Sequence, residues 1–148
     1  MAFHFPLESV LHYRQSLEHQ QELRLRAANQ QVARARHFVE QLDARLQQLK
    51  IRQSQESSAG TSGAELRFSN LCEATLRQQH QALMGELKRL QNLRDEQQKI
   101  FQQARRERET FEILRDQQLH EYKRESARRE QRQLDDLFLM RQAYLRRG

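Results

Sequence analysis

The side chains in this sequence that could bind a metal ion or act as nucleophiles are six histidines and one cysteine. No two histidines stand four residues apart, and no second cysteine accompanies Cys72, so the ligand spacing of a zinc site is missing. Glycine-rich phosphate-binding motifs of the GxxxxGK[ST] and GxGxxG types are also missing from the sequence. We therefore predict no catalytic residue, no metal and no cofactor.

Carboxylates and arginines are abundant, and their spacing decides what they could do. Many carboxylates stand three or four residues from an arginine, as Glu125 does from Arg129, which is typical of solvated ion pairs on a helix. The arginines around Arg105 and Arg128 could contact nucleic-acid phosphates. However, acidic residues interleave with them, and 26 basic and 20 acidic residues give a net charge of only +6. We expect no nucleic-acid partner, because DNA-reading helices carry denser positive charge.

The composition limits the elements that could position these side chains. Hydrophobic residues make up 36% of the 148 residues, and there are four glycines and one proline. A compact globule or a β-sandwich needs more apolar and more turn residues. The 23 glutamines and 22 arginines are good helix formers, and leucine recurs throughout, so long amphipathic helices are favoured over disorder.

The apolar runs and the single cysteine indicate in which cellular compartment the protein resides. The longest apolar run is Leu137–Met140, whereas a membrane-spanning helix needs about 20 residues. No signal peptide is visible, and a single cysteine fits a reducing compartment. We therefore expect a cytoplasmic protein without direct membrane insertion.

A serine- and glycine-rich segment over 54–63 divides the chain into two helical arms. It holds two glycines, four serines and no large apolar residue, which predicts a loop. We predict helix 1 over about 6–53, starting near Pro6, and helix 2 over about 64–146. Together they form a single coiled-coil domain over 1–148.

The apolar residues of both arms recur at spacings of four and three, which is typical of a coiled-coil seam. In arm one the seam runs through Ala28, Val32, Ala35, Val39, Leu42, Leu46 and Leu49. Before Ala28 the predicted seam contains the apolar residues Leu7, Val10 and Leu17 and the polar residues Arg14, Gln21 and Arg24, which predicts a poorer packing face and a stutter near Ala28. In arm two the apolar residues predict a phase shift between Leu90 and Leu93.

The unequal arm lengths predict an all-α fold, namely an antiparallel two-helix coiled-coil hairpin with a longer, projecting C-terminal helix. Arm one reaches to about residue 115 of arm two, so about 30 residues, from Leu119 to Arg147, project. Isolated helices are marginal in water, so an apolar stripe on this projection should pack against another molecule. The stripe consists of Leu134, Leu137, Phe138, Arg141, Tyr144 and Leu145.

Both ends of the chain resemble the flagellar export protein family FliJ. The start, Phe5–Arg14 (FPLESVLHYR) followed by Glu18, is similar to that family's opening Phe-x-Leu-x-x-Val-Leu-x-x-Arg with a Glu shortly after. The stretch Arg129–Leu137 (REQRQLDDL) is similar to the family's Glu-Gln-x-x-Leu-Asp-Glu. The length, the mid-chain turn and the arm asymmetry agree, and the resemblance covers nearly the whole chain.

The resemblance implies a non-enzymatic stalk similar to the central γ subunit of rotary ATPases. Such proteins are thought to enter the pore of a hexameric export ATPase, FliI, to connect it with the membrane export gate through FlhA, and to escort export chaperones. The resemblance also implies a position at the cytoplasmic face of the inner membrane and a role in flagellum assembly and motility.

We predict two partner-facing ends on this basis. The ATPase-facing residues are Leu134, Asp135, Asp136, Leu137, Phe138, Arg141, Tyr144 and Leu145, with Leu7, Val10, Leu11 and Arg14 from helix 1. The gate-facing residues are Phe68, Leu71, Cys72, Thr75 and Leu76, at the loop-proximal end.

Three other functions are consistent with parts of the sequence. The stalk of an injectisome secretion system has a similar architecture, and neighbouring flagellar genes would separate the two. A homodimeric coiled-coil scaffold would pair the projecting helices of two chains and sediment as a dimer. A nucleic-acid-binding helix would bind with an affinity that falls steeply with salt.

Overall fold

A computed structural model describes residues 2–60 and 62–147, and these residues form two long helices without any strand. Helix α1 spans Glu8–Ala59 and helix α2 spans Gly63–Arg147. The chain divides into two compact units, each containing a segment of both helices. We call Met1–Glu18 with Gln103–Gly148 the terminal unit, and His19–Gln102 the loop unit. In each unit α1 and α2 pack against each other in antiparallel directions, so the predicted all-α helical hairpin is confirmed.

Helix α1 ends six residues later than the sequence predicted. Three of the serines assigned to a loop lie on exposed helix, where Ser58 Oγ donates a hydrogen bond of 2.8 Å to the Gln55 carbonyl. Such back-bonding lets serine remain in a helix. Gly60 has a φ of +80°, a left-handed conformation that glycine adopts without strain and that ends many helices. The predicted loop over 54–63 was therefore too long.

Helix α2 begins with a serine N-cap. The Ser62 hydroxyl accepts a hydrogen bond of 3.3 Å from the Glu65 amide, and Glu65 places an acidic group in the first turn. The Ser62 hydroxyl satisfies one of the free amides at the start of the helix. The negative charge of Glu65 interacts favourably with the positive end of the helix dipole.

The core of the loop unit follows the predicted seam. Val32, Ala35 and Val39 of α1 are buried against Leu87 of α2, and Leu83 and Leu90 pack on this cluster. The heptad spacing of the apolar residues therefore determines which faces of the helices meet.

Polar residues continue the seam where the sequence predicted a shift of phase. In α2, Arg94 and Gln97 are half-buried, whereas Leu93 and Ile100 are exposed. In α1, Gln21 keeps the spacing before Ala28, and Gln97 Nε2 donates a hydrogen bond of 2.6 Å to Gln21 Oε1. The predicted stutter near Ala28 and the shift after Leu90 are therefore wrong.

The core of the terminal unit includes residues that precede α1. Phe5 and Leu11 are buried, and the Phe3 and Tyr122 rings lie 5.5 Å apart. Residues 2–5 are not helical, and an extended chain advances about 3.3 Å per residue against 1.5 Å in a helix. The short N-terminal segment therefore covers α2 as far as Ser126, and the uncovered part of α2 begins at Ala127 rather than at Leu119.

Candidate functional site

The last part of α2, Ala127–Arg147, is exposed at every residue. Its apolar side chains include Leu137, Phe138 and Tyr144, which are 62%, 60% and 79% exposed. We call this range the C-terminal segment. Large apolar side chains of this exposure, gathered on one short stretch of helix, are typical of a surface that binds another protein.

The predicted stripe lies on one side of the C-terminal segment, because its members are spaced by three and four residues. The exposed residues at these positions are Leu134, Leu137, Phe138, Arg141, Tyr144 and Leu145. Asp135 and Asp136 are also exposed, and Asp135 accepts a hydrogen bond of 3.1 Å from Gln131. The sequence prediction did not assign Leu139 and Met140 to the surface, although both are exposed. The run Leu137–Met140 thus makes the apolar surface wider than a single stripe.

The four predicted residues of helix 1 lie apart from the C-terminal segment. Leu7 and Val10 are half-buried, and Leu11 is only 1% exposed, so Leu11 is a core residue. Arg14 is half-buried beside Glu107. Leu134 stands 12 residues beyond Tyr122, the residue that Phe3 contacts, which corresponds to about 18 Å along α2.

Ion pairs link α1 and α2 in the terminal unit. Arg108 Nε donates to Glu18 at 2.6 Å, and its Nη1 donates to Glu112 at 2.6 Å. The hydrogen bond with Glu18 raises the pKa of the Arg108 guanidinium above its ordinary value. Since Arg108 and Glu18 are each less than one-fifth exposed, water screens this pair weakly.

Arg14 adds a second cross-helix pair in the same unit. It forms an ion pair with Glu107, and its guanidinium lies 5.9 Å from the centre of the Phe111 ring. A third pair joins Arg115 to Glu8 at 3.5 Å. These pairs hold the start of α1 on α2 where the seam carries polar residues.

We expect the Glu18–Arg108 pair to stabilise the hairpin measurably. Glu18→Gln and Arg108→Met should each lower the free energy of unfolding by about 1.5–3 kcal/mol, because each breaks the weakly screened ion pair between the two helices. In Glu18→Gln, Arg108 keeps its hydrogen bond to Glu112. In a double-mutant cycle the coupling should be about 1 kcal/mol. Urea denaturation followed by circular dichroism measures it.

The exposed pair Arg129–Glu125, at 3.8 Å, is the matched control for this cycle. Its coupling should stay below about 0.5 kcal/mol because water screens it. Equal coupling for the two pairs would show that burial gives the Glu18–Arg108 pair no additional strength.

The predicted gate-facing residues lie at the loop end of the loop unit. Phe68 and Leu71 are 69% and 65% exposed, and Thr75 is exposed and donates to the Leu71 carbonyl at 3.0 Å. Cys72 and Leu76 are half-buried. A hollow of about 510 Å³ opens beside them, and its lining includes Leu49, Arg52, Phe68, Ser69 and Cys72. The structure thus brings Phe68 and Cys72 together on one surface.

The described residues hold no group of three or more histidine, cysteine, aspartate or glutamate side chains that could hold a metal ion. Neither described helix has a stretch apolar enough to span a membrane.

The family model of the flagellar FliJ protein matches residues 3–148, which is nearly the whole chain. The chain belongs to the FliJ family. No curated protein and no solved structure matches the chain significantly. FliJ family membership gives the protein a role in flagellar protein export, in association with the flagellar export apparatus.

The match covers both partner-facing ends predicted for a FliJ protein, because it runs from before Leu7 to beyond Leu145. The FliJ family is a non-enzymatic component of flagellar export. The exposed C-terminal segment and the exposed residues at the loop end are two surfaces that the described residues make available to partners.

Proposed function

We propose that this FliJ family protein is a stalk of the flagellar type III export apparatus, and that its C-terminal segment inserts into the hexameric export ATPase, FliI. The observation that carries the proposal is the continuous exposure of Ala127–Arg147, including the apolar residues of the run Leu137–Met140. A ring with a central pore suits such a segment, because the pore wall can cover a helix on several sides.

The energetics support a protein partner for the C-terminal segment. A helix of about 20 residues is marginal in water on its own. Burying each large apolar side chain contributes about 1.5–3 kcal/mol, so covering Leu137, Phe138 and Leu145 stabilises both the segment and a complex.

The charges of the C-terminal segment suit reversible contact. Six arginines and three acidic residues share its surface, so both signs of charge are interspersed. Charges at the rim of an interface steer association and make it dependent on salt, while the apolar centre supplies affinity. Such a contact allows the protein to leave the ATPase as well as to bind it.

The loop end of the hairpin is the proposed contact with the export gate, FlhA. Phe68 and Leu71 are exposed there, and the hollow between Arg52 and Cys72 can accept a partner side chain. A stalk with contacts at both ends joins the ATPase to the gate at the cytoplasmic face of the inner membrane. Export chaperones are further proposed partners.

The proposal is tested by the rate of ATP hydrolysis of the cognate export ATPase with and without the full-length protein. We expect stimulation, and sedimentation of the protein alone should give a monomer. A stable dimer that does not stimulate the ATPase would contradict the stalk function and favour a homodimeric scaffold.

A further inference from the structure

Two hollows lie side by side on one face of the loop unit, away from its loop end. Phe38 and Leu83 line both of them, and Phe38 is 55% exposed. The hollows have volumes of about 490 Å³ and 330 Å³. We call the pair the Phe38 groove. Buried Leu42 lies in the first hollow and buried Ala35 in the second, so the bottom of the groove is the apolar core of the hairpin.

The two hollows repeat each other at an interval of seven residues. Arg34 and Phe38 line the second hollow, and Gln41 and Arg45, seven residues further along α1, line the first. On α2 the same relation holds between Gln79 and Glu86, and between Leu83 and Leu90. Seven residues of helix correspond to about 10.5 Å.

A repeat of this length identifies the kind of ligand that fits. A third helix laid along the groove places side chains at positions i and i+7 at the same interval of about 10.5 Å. Apolar residues at those positions would enter the two hollows on either side of Phe38. This arrangement is the knobs-into-holes packing of a coiled coil, extended from two helices to three.

The charges along the groove determine which charge the bound helix should carry. Arg34 and Arg45 stand on the α1 side, and neither has an ion-pair partner among the described residues. On the α2 side, Glu86 is already paired with Arg89 at 2.5 Å. The groove therefore offers free positive charge to carboxylates, and arginine can bind a carboxylate through two parallel hydrogen bonds.

We propose that the Phe38 groove is a docking site for an acidic amphipathic α-helix of a partner protein, with apolar residues at i and i+7. A second copy of this chain suits the groove less well. Its exposed C-terminal segment has apolar residues at the right interval, Leu137 and Tyr144, but it carries six arginines against three acidic residues. This docking site does not depend on the proposed stalk function, because the groove and the ATPase-facing residues belong to different units.

The test uses two synthetic, fluorescein-labelled peptides of 21 residues with leucine at i and i+7. One peptide carries glutamate at the flanking positions and the other carries lysine at the same positions. Fluorescence anisotropy, with the full-length protein as titrant at physiological salt, measures their binding. We expect the glutamate peptide to bind at least tenfold more tightly than the lysine peptide.

Substitutions in the Phe38 groove test whether the peptide binds there. Phe38→Asp should weaken binding of the glutamate peptide at least tenfold, and Arg34→Glu combined with Arg45→Glu should reverse the preference between the two peptides. Tyr13→Asp is the matched control, because Tyr13 is an aromatic residue of similar exposure, 60%, that lies in the terminal unit and lines neither hollow of the groove. It should leave binding unchanged. Circular dichroism at 222 nm checks that each variant keeps its helix content.

Four results would overturn the proposal. They are absence of binding by the glutamate peptide, equal binding of both peptides, loss of binding in Tyr13→Asp but not in Phe38→Asp, and a preference that the arginine reversals leave unchanged. A dimer in sedimentation that Phe38→Asp dissociates would also overturn it, since the groove would then hold a second copy.

Discussion

Replacing Leu137 and Phe138 together by aspartate is expected to reduce ATP hydrolysis to the rate of the export ATPase alone. Both side chains are exposed by about 60%, so two carboxylates would be hydrated and harmless in the free protein. In the proposed complex they would lose two apolar contacts, each contributing about 1.5–3 kcal/mol, and would place unpaired charges in the interface. The assay is the ATPase rate as a function of the concentration of the variant.

Two controls distinguish the loss of the ATPase contact from a loss of folded structure in this experiment. The helix signal at 222 nm and the thermal midpoint should be unchanged in the double variant. Ile113→Asp introduces a single carboxylate at an exposed apolar position of the same unit and should stimulate like the unaltered protein. Normal stimulation by the Leu137→Asp, Phe138→Asp variant would contradict the assignment of the ATPase contact to the C-terminal segment.

Leu11→Ala is expected to cause a large loss of stability. Leu11 is 1% exposed and is the largest fully buried side chain among the described residues. Removing a buried leucine side chain to the β-carbon loses its transfer free energy and leaves a cavity, which costs about 2–5 kcal/mol. Urea denaturation followed by circular dichroism should show a lower midpoint.

The matched control for Leu11→Ala is Leu137→Ala, the same substitution at an exposed position. It should change the free energy of unfolding by less than about 0.5 kcal/mol. Amide hydrogen exchange should show faster exchange in the first turns of α1 for Leu11→Ala than for the control. Equal stability of the two variants would mean that Leu11 packs loosely despite its burial.

The parts of the fold that the sequence predicted correctly depend on apolar residues with regular spacing. The seam from Val32 to Leu42 was predicted because each turn supplies an apolar residue on the same face. The exposure of Leu134 and Tyr144 was also predicted, since the shorter arm cannot reach them. Their binding to the ATPase stays a prediction.

The polar part of the seam was predicted only in part from the same pattern, which placed Gln21 and Gln97 on the seam but not their pairing. Gln21, Glu18 and Arg108 are half-buried because each finds a partner on the other helix. These partners lie 76 and 90 residues away in the sequence. A search for apolar periodicity therefore followed Leu93 and Ile100, which are exposed. A search for matched polar residues at a constant heptad spacing would have found the pairs.

Two further differences have local causes. The loop was predicted too long because serines count as loop residues by composition, whereas Ser58 remains helical by donating to a carbonyl. Leu11 was predicted to face a partner because it belongs to the family-like opening of the sequence. Its position in the heptad, four residues after Leu7, explains its burial.

The few residues between Ala59 and Gly63 have a consequence for the order in which the protein folds. Gln53 and Ser69, hydrogen-bonded at 2.9 Å, are only 16 residues apart in the chain, whereas Arg14 and Glu107 are 93 apart. Closing a short loop loses less chain entropy than closing a long one. We therefore expect α1 and α2 to pair first beside the turn and then progressively towards the termini.

Pairing of the helices in this order has a consequence for folding during synthesis on the ribosome. Helix α1 is complete long before its partner segments emerge, and the burial of Leu11 and Phe5 waits for the part of α2 in the terminal unit, which begins at Gln103. Contacts of small sequence separation form fastest, so the apolar cluster around Val39 and Leu87 can assemble while the C-terminal residues are still being made. The C-terminal segment, which is proposed to enter the ATPase, is then synthesised after the segments that form this apolar cluster.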